Sequence, residues 1–264
     1  MLSLSRLLLA ALLAASLAGC AGSDDVAEVE ERWVEGDFRD HLRQLTEPIV
    51  PFDSSRVARR TRYAARRMEA AGLMPARDPS FLVRMRGTPL PVPAASVDPT
   101  QAHVLGYVAG RHPSYHDELV LVAADLNSVS AAAVLEVARA VAEQARFTQT
   151  PERTVLFALW SPPRAGVRGL ADFLSNPTWA LPNVEHVLLV TADSLAASES
   201  QRLLEAQDIP SDVVAVADQS VTVQETPQDV IEARTLTRTV LLADFLHARV
   251  LAAATVRDST VVSP

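Results

Sequence analysis

Leu119-Val120-Leu121-Val122-Ala123-Ala124, closed by Asp125, is the stretch on which the fold turns. The run is apolar without alternation, the pattern of a strand buried on both faces. From about Val129 to Gln144 the pattern is that of a long amphipathic helix. Thr154 to Trp160 is a second buried run, ended by the turn Ser161-Pro162-Pro163. A helix is expected over about Val167 to Leu174, and a strand from His186 to Ala192 that Asp193 closes. Strands alternating with helices predict an α/β fold, a three-layer α/β/α sandwich around a mixed, largely parallel central sheet. In such sheets sites collect beyond the carboxyl ends of the strands. The three ends to inspect are Asp125, Ser161 to Arg164, and Asp193.

Outward from this centre the pattern continues. Val26, Val29, Trp33, Phe38, Leu42 and Leu45 recur at roughly helical spacing, and Pro48 and Pro51 end that helix. Asp53-Ser54-Ser55 is an N-cap cluster for a second helix that stops at Gly72. Its arginines, Arg59, Arg60, Arg62, Arg66 and Arg67, are expected to form a solvated face. Phe81 to Arg86 and His103 to Ala109 are strand candidates, and Gly87 to Pro99, with four prolines, is a loop. Ser198 to Ala206 predicts a short helix, Val213 to Ala217 a strand, and Asp229 to Ala254 a long C-terminal helix.

Composition excludes several chemistries. All 24 basic residues are Arg, so Schiff-base, pyridoxal and P-loop mechanisms that need Lys are absent. The formal charge of -8 argues against a nucleic-acid partner. Cys20 is the only cysteine of the 264 residues, which rules out internal disulfides and thiolate metal clusters.

Arg6 followed by the apolar run Leu7 to Leu17 has the form of an export signal, too short for a bilayer span. It ends Leu17-Ala18-Gly19-Cys20, which resembles a bacterial lipoprotein signal whose Cys receives the lipid. The plain secretory signal is the alternative. The expected organisation is a signal peptide over 1–19, a lipid-anchored spacer over 20–25, and a single domain over 26–264 with its core at about 52–254. Ala21 stands where an inner-membrane retention Asp would be. By that resemblance the chain is expected in the cell envelope, held at the outer membrane through Cys20 and facing the periplasm.

Five further segments fall in a telling order. They are Val104-Leu105-Gly106-Tyr107-Val108-Ala109-Gly110, Asp117 to Ala124, Ala131 to Ala140, Arg153 to Trp160, and Gly166-Val167-Arg168-Gly169. This series resembles the M28 zinc aminopeptidases, a family that also contains the glutaminyl cyclases, over roughly Phe52 to Ala254. The resemblance implies a zinc-exopeptidase-like fold and a two-zinc site with a Glu as general base. The family's five ligands are two His, two Asp and one Glu.

Position by position, that site is not retained. Asp125 stands where the first His is expected, and the Gly-rich loop with the bridging Asp is collapsed into Asn127-Ser128-Val129-Ser130. In a second alignment the bridging position falls on Leu126. Pro163 replaces the general base and cannot transfer a proton. Arg164 replaces the next ligand and brings a permanent positive charge. Asp193 survives, and Val221 replaces the last His. The nine glycines of the whole chain agree with the loss of site-shaping loops.

The expectation is a catalytically inactive, peptidase-like lipoprotein that acts by binding or as a scaffold, with no catalytic residue and no cofactor. Its cleft would be framed by Asp125, Trp160, Arg164 and Asp193, with Trp179 near the rim. Its partner is an unidentified envelope protein or peptide. Arg164 would hold an anionic group there, or simply pair with Asp125 or Asp193. The alternative is an active zinc aminopeptidase with a rebuilt metal site. His41, His103, His112, His116, His186 and His247 lack metal-motif spacing and read as surface or core residues. Ser161 and Ser194 are conceivable nucleophiles without an identifiable base.

Overall fold

The computed structural model describes residues 33, 35–46, 53–77, 79–84, 98–147, 149–161, 167–191, 194–216 and 228–255. The chain divides into the units Met1–Glu35 and Gly36–Pro264. The first lies almost wholly outside the described residues, and with it Cys20 and the signal-like segment. The second unit holds all the strands and nearly all of the described helices.

Two helices lead in, α1 (Glu35–Leu45) and α2 (Ser54–Ala71). Asp53 caps α2, accepting the Ser55 N–H at 2.8 Å, as its place before two serines predicts. Gly72 ends it in the left-handed region at φ 81°. There the Gly72 N–H donates to Glu69 O and the Leu73 N–H to Met68 O, the paired closure that favours glycine. Short strands β1 (Met74–Pro75) and β2 (Leu82–Arg84) both pair with β3 (Ala102–Val108). Then come β4 (Leu119–Asp125), α3 (Val129–Phe147), β5 (Thr154–Trp160), α4 (Val167–Ser175), β6 (Val184–Thr191), α5 (Ser194–Glu205), β7 (Ser211–Ala215) and α6 (Gln228–Ala254).

The seven strands form one mixed sheet in the order β1-β3-β5-β4-β6-β7, with β2 beside β3. β5, β4, β6 and β7 run parallel, while β3 is antiparallel to β5. Every β5 residue is buried, as are six of the seven in β4. This is what the unbroken apolar runs require, since helices cover both faces. Leu121, Leu156, Trp160 and Leu189 pack beneath Leu170 and Phe173 of α4 and Leu204 of α5. The opposite face carries α3 and α6, with α2 beside them. Each buried Val, Leu or Phe contributes about 1.5–3 kcal/mol, so these central strands hold the molecule together. Among the described residues no helix is long and apolar enough to cross a membrane.

Two expectations need correction, and one strand is unexpected. α5 begins at Ser194, four residues before the expected Ser198, because Leu195-Ala196-Ala197 is as helix-compatible as the rest of the helix. The solvated arginine face of α2 is only partly so: Arg60 is buried and Arg67 donates to Asp37 of α1 at 2.8 Å. β1, two residues with a proline, carries no periodic signal at all.

Candidate functional site

β4 lies at the centre of the sheet, with β5 on one side and β6 on the other. The order of connection reverses there, and it is beyond the carboxyl ends of strands at such a point that sheets of this kind form a ligand crevice. Asp125 and Trp160 are partners in register, and the Leu126 N–H donates to Trp160 O at 2.9 Å. Asp125 is half-buried and Leu126 is 1% exposed.

The link from β4 to α3 is only Leu126-Asn127-Ser128. Ser128 serves as its cap. Its Oγ donates to Asp125 O at 2.6 Å and accepts the Ala131 N–H at 3.3 Å. A turn closed this tightly leaves no room for a Gly-rich metal loop.

Trp160 is fully buried and belongs to the core rather than a rim. Gly169 of α4 lies flat on its indole, where a Cβ would come within 2.4 Å of the ring. His103, at the start of β3, meets the same ring edge-on at 5.1 Å. The Ser161 N–H donates to His103 Nδ1 at 3.3 Å, which places the proton on Nε2, 3.8 Å from Asp172 Oδ2. Trp160 Nε1 and Ser161 Oγ are enclosed, with no hydrogen-bond partner among the described residues. From sequence alone His103 is a generic core or surface histidine. Its place beside the end of β5 follows from the antiparallel β3–β5 register, which no local pattern encodes.

Trp179 also moves. Its indole N–H donates to Asp117 O at 2.9 Å, just before β4, so it sits at the amino end of the parallel strands, opposite the crevice. Ser194 is exposed at the first position of α5. Pro163, Arg164, Asp193 and Val221 lie outside the described residues, so the structure brings together only Asp125 and Trp160 of the expected cleft. Among the described residues no three His, Cys, Asp or Glu side chains come together as a metal site. His103 offers no ligand at this end, because its lone-pair nitrogen is occupied by Ser161.

His41 and His186 are held in polar networks away from this end of the sheet. His41 Nε2 donates to the buried Glu136 at 2.9 Å, and its Nδ1 meets the Tyr63 hydroxyl at 2.7 Å. Arg139 Nε donates to the other Glu136 oxygen at 3.0 Å. Burial pushes the Tyr63 phenol up to about 12. His186 and Arg249 both donate to Asp212. Burial alone would raise that carboxyl, but the two donors outweigh it and hold it below the usual carboxylate range.

No family model matches the chain, and no curated protein is similar in sequence. Solved structures do resemble it. LapA aminopeptidase of Legionella pneumophila matches with TM-score 0.51 at 9% identity, over 89% of this chain and 78% of that one. BSAP, a zinc aminopeptidase from Bacillus subtilis, matches with TM-score 0.42 at 15% identity, over 61% of this chain and 52% of its own. A putative zinc-dependent exopeptidase from Bacteroides vulgatus matches with TM-score 0.44 at 11% identity, over 79% and 94%. The chain thus spans about half the length of the Bacillus enzyme. The mixed, largely parallel sheet with helices on both faces is an α/β fold that the chain shares with LapA.

Proposed function

We propose that this chain is a lipid-anchored envelope protein whose peptidase-like domain has lost its metal chemistry and acts by binding. The observation that carries the reading is the β4–α3 junction. Asp125 stands where the fold's first metal-binding His is expected, and three residues replace the loop that would carry the bridging carboxylate. Leu126, the other candidate for that bridging position, is buried and apolar. A metal site needs its ligand set assembled to hold an ion usefully. Pro163, Arg164 and Val221 extend the loss along the sequence.

In this reading the crevice beyond β4, β5 and β6 receives a peptide or a partner's chain end, with Arg164 supplying a cation in place of a metal. Cys20 carries the lipid and keeps the domain at the outer membrane, facing the periplasm. The test is hydrolysis of aminoacyl and dipeptide substrates by the mature protein with zinc added. No turnover above buffer is expected. Turnover abolished by Asp193→Ala would overturn the reading in favour of a rebuilt metallopeptidase.

A further inference from the structure

One face of α2 is basic in an otherwise acidic protein. Arg59, Arg62 and Arg66 recur every three or four residues, so they form a single exposed line along the helix. The other arginines of α2 are engaged. Arg56 pairs with Asp53, Arg67 pairs with Asp37, and Arg60 is buried. Arg59, Arg62 and Arg66 make no hydrogen bond or ion pair to a described residue. Among the described residues, Asp98 is the carboxylate that feels this line, through Arg62.

At the foot of the line Arg59 and Arg62 overhang a groove of about 590 Å³ with Ala58 and Pro99 in its lining. Asp98 borders it, but its carboxylate is committed. It accepts the Thr100 N–H at 2.9 Å and the Thr100 hydroxyl at 2.8 Å, and these bonds together with Arg62 hold it ionised. At the amino end of α2, Asp53 takes the Ser55 N–H and hydroxyl, and Ser54 adds a hydroxyl to the groove lining. The groove thus presents two guanidiniums and the Ser54 hydroxyl beside a wall that is apolar at Ala58 and Pro99. Asp98 and the exposed Glu69 flank the line, leaving it one positive charge in excess.

We propose that this face docks the domain on anionic phospholipid headgroups. Guanidinium forks bind phosphate oxygens in pairs, and three in a row suit a plane of phosphates better than one small ligand. The proposal rests on the lipid-anchor part of the function above. Residues 20–35, fully extended, span only about 50 Å, so an anchored domain stays within contact of that surface. The overall charge of -8 opposes approach at long range, so the contact is short-ranged and weakens with salt.

The test uses the full mature chain with Cys20→Ser, so that no acyl chain takes part, sedimented with vesicles of phosphatidylcholine alone or with phosphatidylglycerol added. Binding is expected only to the phosphatidylglycerol vesicles, and is expected to fall with salt. The Arg59→Gln, Arg62→Gln, Arg66→Gln triple variant should lose roughly a hundredfold, at about fivefold for each charge. Arg202→Gln, on α5, should lose nothing. Equal binding to both vesicles, no binding, or an unaffected triple variant would overturn the proposal. So would binding of inorganic phosphate in the groove without binding of vesicles, which would assign it to a soluble phosphate. Palmitate labelling of the wild-type chain reads lipidation at Cys20 separately, so failure of the anchor and failure of the docking face are told apart.

Discussion

The His103 imidazole holds the end of β5: its Nδ1 accepts the Ser161 N–H at 3.3 Å, while its ring stands edge-on against Trp160. The crevice wall at this point therefore depends on a residue from a different strand. His103→Ala leaves the Ser161 N–H buried without a partner and opens space beside the indole. A loss of about 1–3 kcal/mol is expected in denaturant unfolding. A change under about 0.5 kcal/mol would mean that the contact carries no weight.

Ser161 invites a catalytic reading, since His103 and Asp172 lie behind it. Two facts oppose it. Its Oγ is enclosed without a partner among the described residues, and the histidine nitrogen that would take its proton already accepts its own backbone N–H. Ser161→Ala removes an unsatisfied hydroxyl, so its stability is expected to stay level or rise by up to about 1 kcal/mol. A fluorophosphonate probe should leave the wild-type chain unlabelled. Labelling at Ser161 that disappears in the variant would establish a serine nucleophile.

Gly169 sets how closely α4 lies on the sheet. A methyl there would fall 2.4 Å from the Trp160 ring. Gly169→Ala should cost about 1–3 kcal/mol despite the better helix propensity of alanine. Pairing it with Trp160→Leu should recover part of the loss in a thermal melt, whereas additive losses would show that the two do not touch.

Asp212 sets an acid limit. Its carboxyl is held below its ordinary 3.8 by Arg249 and His186 against the opposing effect of burial. A depressed folded value means that its stabilisation is complete above the ordinary value and is lost as pH falls through the folded one. Urea midpoints should therefore drop more steeply below about pH 4 in the wild type than in Asp212→Asn. Parallel curves would contradict the assignment.

The central sheet is legible in the sequence because β4 and β5 announce themselves as unbroken apolar runs of strand length, and because Asp53 and Gly72 bracket α2 with unambiguous caps. The alternation of elements then leaves little choice of architecture. What escapes a linear reading is set by tertiary register. β3 runs against β5, and that alone brings His103 to Trp160 and Ser161. Trp160 resembles a rim residue because it ends a strand, yet Gly169 in the next helix lets α4 close over it. Trp179 lies away from the expected crevice because a loop tryptophan carries no signal for which end of the sheet it will reach. Asp125 and the three-residue link to α3 are readable directly, since both lie between a strongly patterned strand and a strongly patterned helix.

Metal content tests the loss of zinc chemistry most directly. The mature protein, equilibrated with excess zinc and freed of unbound ion by gel filtration, should elute with far less than one zinc per chain. Its Asp125→Asn and Asp193→Ala variants should be indistinguishable from it. Two zinc ions per chain, lost in either variant, would contradict the reading and show that the metal site survives.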